Sequence, residues 1–149
     1  MVVVFDPVGV IHTPYKKPAE MPFQGALAPE TEGRVVVYPR FSEGLKDIEG
    51  FSHLILIYYF HMVDNYTLIS RPYNNNKPRG IFSIRGPRRP NPIGMTVVRL
   101  KRREDSVLYI SGVDMVDNTP LLDIKPYFPD IDSHEAEHTG WREASGTKE

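Results

Sequence analysis

Residues 80–100 read GIFSIRGPRRPNPIGMTVVRL: two strand-like runs, 80–85 and 94–100, joined by a connection holding Pro87, Pro90 and Pro92. Each proline fixes φ at about −65° and removes a backbone donor, so the connection can neither continue a helix nor lie inside a sheet. The residue before each proline is pushed towards extended geometry. The stretch therefore reads as a hairpin with a rigid loop that carries Arg85, Arg88, Arg89 and Asn91. Such a loop has little entropy left to lose on binding, and guanidinium groups match phosphates and stack on bases. The same residues are equally compatible with a stiff turn whose arginines are merely solvated.

Working outward, residues 101–105 read as a turn into a strand at 106–111. On the other side, residues 64–79 are polar and loop-like, with an Asn74-Asn75-Asn76 tract. Residues 51–61, FSHLILIYYFH, are the most apolar run and read as a central strand. Strict alternation is absent, which predicts that both faces are covered, as in a barrel wall or an interface. Residues 2–5 and 8–13 read as strands broken at Asp6-Pro7, and 34–38 as another. Residues 41–49 fit one short helix with Ser42 as N-cap. The proline-marked stretch 13–29 carries Tyr15, Phe23 and Gln24, as binding loops do. Beyond Phe128 the chain turns acidic, with Trp141 as an isolated anchor. Mainly β structure follows: a single closed or nearly closed β-barrel over residues 1–130, with one short helix and long proline-rich loops, then an acidic tail over 131–149.

Charge is segregated far more strongly than the formal net charge of −1 implies. Residues 65–103 contain no Asp or Glu but hold ten of the eighteen Lys and Arg, and all nineteen carboxylates lie elsewhere. A local basic field of this kind draws polyanions whatever the overall charge, which points to a surface facing nucleic acid. With no cysteine, disulfides, thiolate zinc sites and a cysteine nucleophile are excluded. No stretch reads as a signal peptide or is long enough to span a bilayer, so a cytoplasmic location away from membranes is expected.

A second polar stretch, residues 114–127, reads DMVDNTPLLDIKPY. Its Asp117-Asn118-Thr119-Pro120 segment has turn chemistry. These aspartates either cap turns and neutralise arginines, or meet the arginine loop at one barrel end in a cleft of both signs. Such a cleft would suit a cationic, adenine-bearing cofactor. His12, His53 and His61 contain no close ligand pair and read as core or rim residues, so no metal is expected. There is no P-loop, G-x-G-x-x-G or nucleophile-elbow pattern. The residues alone lead to a basic, RNA- or nucleotide-facing β-barrel.

Taken together, GVIHTPY (9–15), GFSHLILIYYFH (50–61), the 80–100 stretch and GVDMVDNTPLLDIKPYFP (112–129) resemble the TsaA-like, or TrmO, family over nearly all of the first 130 residues. The resemblance implies an S-adenosyl-L-methionine (SAM)-dependent tRNA methyltransferase built on a β-barrel. Its acceptor would be N6 of threonylcarbamoyl-adenosine at position 37, just 3′ of the anticodon, and it would act as a homodimer with SAM near the subunit contact. Carried over by position, cofactor contacts fall at Gln24, Gly25, Ala26, His61, Met62, Arg85, Met95, Thr96, Asn118, Thr119, Pro120 and Leu121. Asp123, Lys125 and Tyr127 would stand beside the methyl acceptor as catalytic residues. Arg71, Lys77, Arg79, Arg88, Arg89 and Arg102 would contact RNA phosphates. Two features depart from the family's pattern: Gly86 replaces a small hydroxyl residue, and longer members carry a second, C-terminal domain. A non-catalytic RNA-binding barrel, or a methyltransferase of this fold with another acceptor, stays open beside this reading.

Overall fold

The structure, a computed structural model, describes residues 1–22, 25–72 and 77–145. Phe23, Gln24 and the Asn74-Asn75-Asn76 tract lie outside the described residues. Six antiparallel strands close a barrel: β1 (Gly9–His12), β2 (Glu32–Val37), β3 (His53–Tyr59), β6 (Ile93–Glu104), β7 (Val107–Ser111) and β8 (Thr119–Pro126). Their order around the wall is β1-β2-β7-β6-β3-β8. Two short strands, β4 (Ile69–Ser70) and β5 (Arg79–Gly80), make a separate ribbon. Closure leaves the barrel without free edges. The core fills its interior with Ile11, Val35, Leu54, Leu56, Val98, Leu108, Ile110 and Leu121, all fully buried.

The local differences from the sequence reading have identifiable causes. β3 does alternate, burying Leu54, Leu56 and Tyr58 while Ile55 and Ile57 stay half-exposed on the outside. The run is apolar on both faces, but this chain covers only one. β6 repeats the pattern and leaves Ile93, Met95 and Val97 exposed beside them. The expected hairpin over 80–100 is absent. Residues Ile81–Ser83 form a 3₁₀ turn, and β6 pairs with β3 instead, Gly94 opposite Tyr58 and Thr96 opposite Leu56. The first run is a 3₁₀ turn with no strand to pair. The proline-braced connection bends locally, the Arg89 amide donating to the Pro87 carbonyl at 2.9 Å, where a hairpin needs two strands and one compact turn.

The expected turn at 101–105 is strand, and the reversal comes at Asp105, whose φ is 52°. The expected helix at 41–49 is instead two 3₁₀ segments, Pro39–Leu45 and Ile48–Gly50, because Gly44 and Gly50 weaken any longer helix. Ser42 caps nothing there, and its Oγ lies 2.7 Å from Ser106 Oγ. Residues 2–5 form no strand, since β1 is already paired on both sides by β2 and β8. The C-terminal segment contains the two short α-helices, α1 (Pro129–Asp132) and α2 (Trp141–Ser145). Trp141 Nε1 donates to the Ser83 carbonyl at 2.7 Å, which ties the segment back to the 3₁₀ turn ahead of the proline-braced loop.

Candidate functional site

Four segments converge at one end of the barrel and enclose a cavity of about 570 Å³, a size usual for small-molecule sites. β3 runs out through Tyr58 into Phe60, His61 and Met62, and β6 enters with Gly94 and Met95. The proline-braced loop contributes Arg85, Arg88 and Arg89, and the β7–β8 loop contributes Asp114, Met115 and Val116. The arginine loop and the aspartate loop thus line one cavity. Its wall is mainly apolar, with Tyr58 and Phe60 edge to face at 5.5 Å between ring centroids. Gly94 permits that pair to close over the strand. A Cβ there would stand 2.4 Å from the Tyr58 ring and 2.8 Å from Phe60, so any side chain would displace both.

Asp114 is the polar centre of the wall and is 9% exposed. The Gly25 amide donates to its Oδ2 at 2.9 Å, and the Thr96 and Tyr58 hydroxyls donate to Oδ1, Tyr58 at 3.3 Å. The two hydroxyls lie 2.8 Å apart. Backbone packing makes the first contact possible: a Cβ on Gly25 would fall 1.9 Å from the Gly112 carbonyl oxygen. Burial raises the Asp114 pKa above the usual carboxylate value, although all three hydrogen bonds oppose the rise. Burial, followed by the charge of Asp114, raises the Tyr58 phenol. Burial also lowers the His61 pKa, which favours its neutral imidazole.

The aspartate loop has two faces. Asp114 points into the cavity, whereas Asp117 points out of the barrel towards His12, Thr13 and Lys16. Its carboxylate accepts from Lys16 Nζ at 2.7 Å and from the Thr13 amide at 3.1 Å, and His12 Nδ1 lies 3.1 Å away. Burial, the largest single influence, raises the Asp117 pKa, but these contacts outweigh it and bring the group down to about 2. A carboxylate whose folded pKa is depressed contributes stability above its unfolded value, lost as pH falls through the folded one. Asp117→Asn is therefore expected to destabilise the chain by roughly 2 kcal/mol near neutrality, a figure already reduced for the exposure of Lys16. Urea unfolding at a series of pH values should show that difference fading between about pH 4 and pH 2.

The residues assigned from the sequence separate into groups. His61, Met62, Arg85, Met95 and Thr119 line the cavity, and Thr96 stands behind it on Asp114. Gly25 and Ala26 form the 3₁₀ turn Gly25–Leu27 against the same wall, and Gln24 lies outside the described residues. Asn118 is exposed with φ 67°, Pro120 is half-buried and Leu121 belongs to the core. Asp123, Lys125 and Tyr127 are not on the cavity. A β-bulge shifts the register so that Leu121 opposes Tyr58 while Asp123 opposes Ile57. Leu121 faces inward, so Asp123 would too in a regular strand, but the bulge turns it outward beside Ile57. Asp123 pairs with Lys125 at 2.8 Å, and Tyr127 packs edge-on against His53.

Among the RNA candidates, Arg71, Arg88 and Arg89 line the cavity mouth. Arg88 is held by Asn65 Oδ1 at 2.7 Å, and Arg89 braces its own loop by donating to the Ile84 and Gly86 carbonyls. Lys77 is exposed, Arg79 sits in β5, and Arg102 lies away from the cavity on the outer wall. The sequence assignments omitted Tyr58, Phe60 and Gly94 as cavity residues, and took Asp114 only as one of the aspartates of a cleft of both signs. The signals were present as aromatics ending an apolar run, a glycine within a strand, and a lone aspartate between Val113 and Met115. Among the described residues no three His, Asp or Glu come together, and no helix is long and apolar enough to cross a membrane.

Fold and cavity define a small closed barrel with one mainly apolar site whose polar groups are a buried carboxylate and rim arginines. The chain belongs to the TrmO family: the profile of the tRNA-methyltransferase O N-terminal domain matches residues 10–133. A probable S-adenosyl-L-methionine-binding protein of Pyrococcus abyssi is 50% identical over 143 residues, covering 96% of this chain and 78% of that protein. The tRNA (adenine(37)-N6)-methyltransferase of Escherichia coli is 34% identical, covering 87% of this chain and 59% of the enzyme. The crystal structure of TrmO from Pseudomonas aeruginosa superposes with a TM-score of 0.81 at 35% identity, over 95% of this chain and 63% of the other. The chain thus spans under two thirds of the solved TrmO chain and of the E. coli enzyme.

Proposed function

We propose that this chain is a SAM-dependent methyltransferase acting on N6 of adenine 37 in tRNA, with threonylcarbamoyl-adenosine as the preferred acceptor. The observation that carries the reading is Arg85 and Asp114 lining one apolar cavity in a chain of the TrmO family. The donor set suits the cofactor: Arg85 for its carboxylate, the Tyr58–Phe60 wall for its apolar and ring portions, and the carboxylate of Asp114 for its positive charge. When bound, SAM supplies a methyl group to the acceptor nitrogen, a carbon–sulfur bond giving way to a carbon–nitrogen bond while the nitrogen loses a proton. The chain's residues hold the reactants in line and exclude water, which accounts for much of the rate in such transfers.

The amine of adenine N6 is conjugated and weakly nucleophilic, so a group that accepts its proton accelerates the step. Asp123 is assigned that role, with Lys125 fixing its carboxylate and Tyr127 beside it. Since Asp123 faces outward next to the exposed Ile57–Met95 stripe, a second copy docked on that stripe would receive it. Homodimerisation through β3 and β6 would thus complete the site.

The test is incubation with SAM and either unmodified or threonylcarbamoylated tRNA, followed by nucleoside mass analysis, with equilibrium binding of radiolabelled SAM alongside. Wild type should bind SAM and methylate the modified tRNA faster. Asp123→Asn should keep SAM affinity and lose about 10²-fold or more in turnover. A protein that ignores SAM would overturn the enzyme reading in favour of a binding module. Equal rates on both tRNAs would remove the threonylcarbamoyl preference.

A further inference from the structure

The outer wall opposite the exposed apolar stripe carries a row of side chains that neither the cavity nor the proton-accepting motif uses. Cross-strand partners place His12 of β1 beside Arg34 of β2, Arg34 beside Tyr109 of β7, and Tyr109 beside Arg102 of β6. Four neighbouring strands set these positions about 14 Å apart end to end. The Arg102 guanidinium carbon lies 3.8 Å over the centre of the Tyr109 ring, a close cation–π contact. A bulge between Leu100 and Arg102 adds Lys101 to the row, since the extra residue lets two successive side chains point outward.

Carboxylates are present but engaged. Glu32 meets Lys101 at 3.2 Å, Glu104 meets Arg102 at 3.1 Å, and Asp117 holds Lys16 and His12. Arg34 is exposed and has no carboxylate partner among the described residues. A surplus cation next to a preformed Tyr–Arg pair is the combination that holds single-stranded nucleic acid: phosphate on the free guanidinium, base on the pair. His12, Thr13 and Lys16 share a shallow surface recess with Arg34 and Tyr109, and the segment that follows carries Pro18 and Met21 to the wall of the cavity.

We propose that the Arg34–Tyr109–Arg102 row is a single-stranded RNA track that holds substrate nucleotides flanking the methylated adenine. This proposal rests on the tRNA reading above. A base would stack on the solvent face of the Arg102 guanidinium, whose other face Tyr109 supports, while Arg34 would neutralise the adjoining phosphate. Tyr109 acts as a positioning residue here, so phenylalanine should serve in its place and alanine should not.

The test is fluorescence anisotropy of an anticodon stem-loop RNA with adenine at position 37, run over a series of salt concentrations, with SAM titration calorimetry on the same preparations. Arg34→Gln and Arg102→Gln are each expected to weaken RNA binding several-fold and to lower the slope of log affinity against log salt by roughly 0.7–1. Tyr109→Ala should weaken binding about tenfold, and Tyr109→Phe should restore it. SAM affinity should be unchanged in all four, which separates a lost RNA contact from a damaged fold. Wild-type affinity and salt slope in Arg34→Gln and Arg102→Gln would overturn the track alone. Wild-type protein that binds SAM but no RNA would overturn both the track and the tRNA reading. An equal loss from Tyr109→Phe and Tyr109→Ala would remove the stacking role and with it the proposal.

Discussion

Asp114→Ala is expected to destabilise the chain by about 2–4 kcal/mol and to abolish SAM binding, whereas Asp114→Asn should leave the fold nearly intact. The asymmetry follows from the donors around the carboxylate. Alanine removes the acceptor of the buried Gly25 amide, and an unpaired buried donor costs roughly 1–3 kcal/mol. The Thr96 and Tyr58 hydroxyls also lose Oδ1 but can still bond each other across 2.8 Å. Freedom from a desolvated carboxylate returns part of the loss, as the raised pKa of Asp114 requires. Asparagine behaves differently because a hydroxyl accepts as readily as it donates. Its carbonyl oxygen can face Gly25 while its amide donates to Thr96 and Tyr58. Urea unfolding of the two variants, with SAM titration calorimetry on each, separates the structural role from the charge. Asparagine should fold and bind the cofactor weakly, and alanine should do neither well. Equal destabilisation by the two substitutions would show that charge, not hydrogen-bond satisfaction, holds the wall together.

The closed barrel was readable because most of its strands announce themselves as β-branched and aromatic runs between prolines and glycines, and because the family's motifs cover the same residues. The convergence of the arginine and aspartate loops was readable in outline, but the facing of individual residues was not. Two bulges decide it, one between Leu100 and Arg102 and one at Leu122. A bulge shifts the inward–outward phase of every residue after it, and no composition signal marks it. Counting alternately from Leu121 therefore turns Asp123 into the barrel, when it faces away. The same limitation hid the two-sidedness of the aspartate loop. Asp114 and Asp117 are three residues apart and equally polar by sequence, yet one is buried under Tyr58 and the other is tied to Lys16. The β3 run misled for another reason. An apolar strand face looks alike whether the covering partner is the chain's own layer or another molecule. Ile55, Ile57, Ile93, Met95 and Val97 form such a face.

That face leads to the second large effect: mixing two inactive variants is expected to restore about a quarter of wild-type methylation. Asp123 lies four residues beyond Thr119, the β8 residue on the cavity, about 13 Å further along the strand and on the opposite side of the wall. Within one chain it therefore does not face an acceptor held in that cavity. A two-fold dimer through β3 and β6 is self-complementary, so each protomer's outward motif would serve its partner's cavity. Asp123→Asn removes the proposed proton acceptor, and Arg85→Glu reverses one of the cavity's arginine charges. Each homodimer should then be nearly inactive. Equal mixing with subunit exchange makes about half the dimers mixed. In a mixed dimer one site carries both defects and the other neither, so one site in two works in half of the molecules. If Asp123 instead served its own cavity, both mixed sites would carry one defect and no activity would return. Val97→Arg, which places a charge on the apolar stripe opposite Ile55 and off the cavity lining, should lower the mass measured by sedimentation to that of a monomer. It should also abolish both wild-type activity and the complementation. A monomeric Val97→Arg protein with full activity would show that the site is complete within a single chain, and that Asp123 is not its proton acceptor.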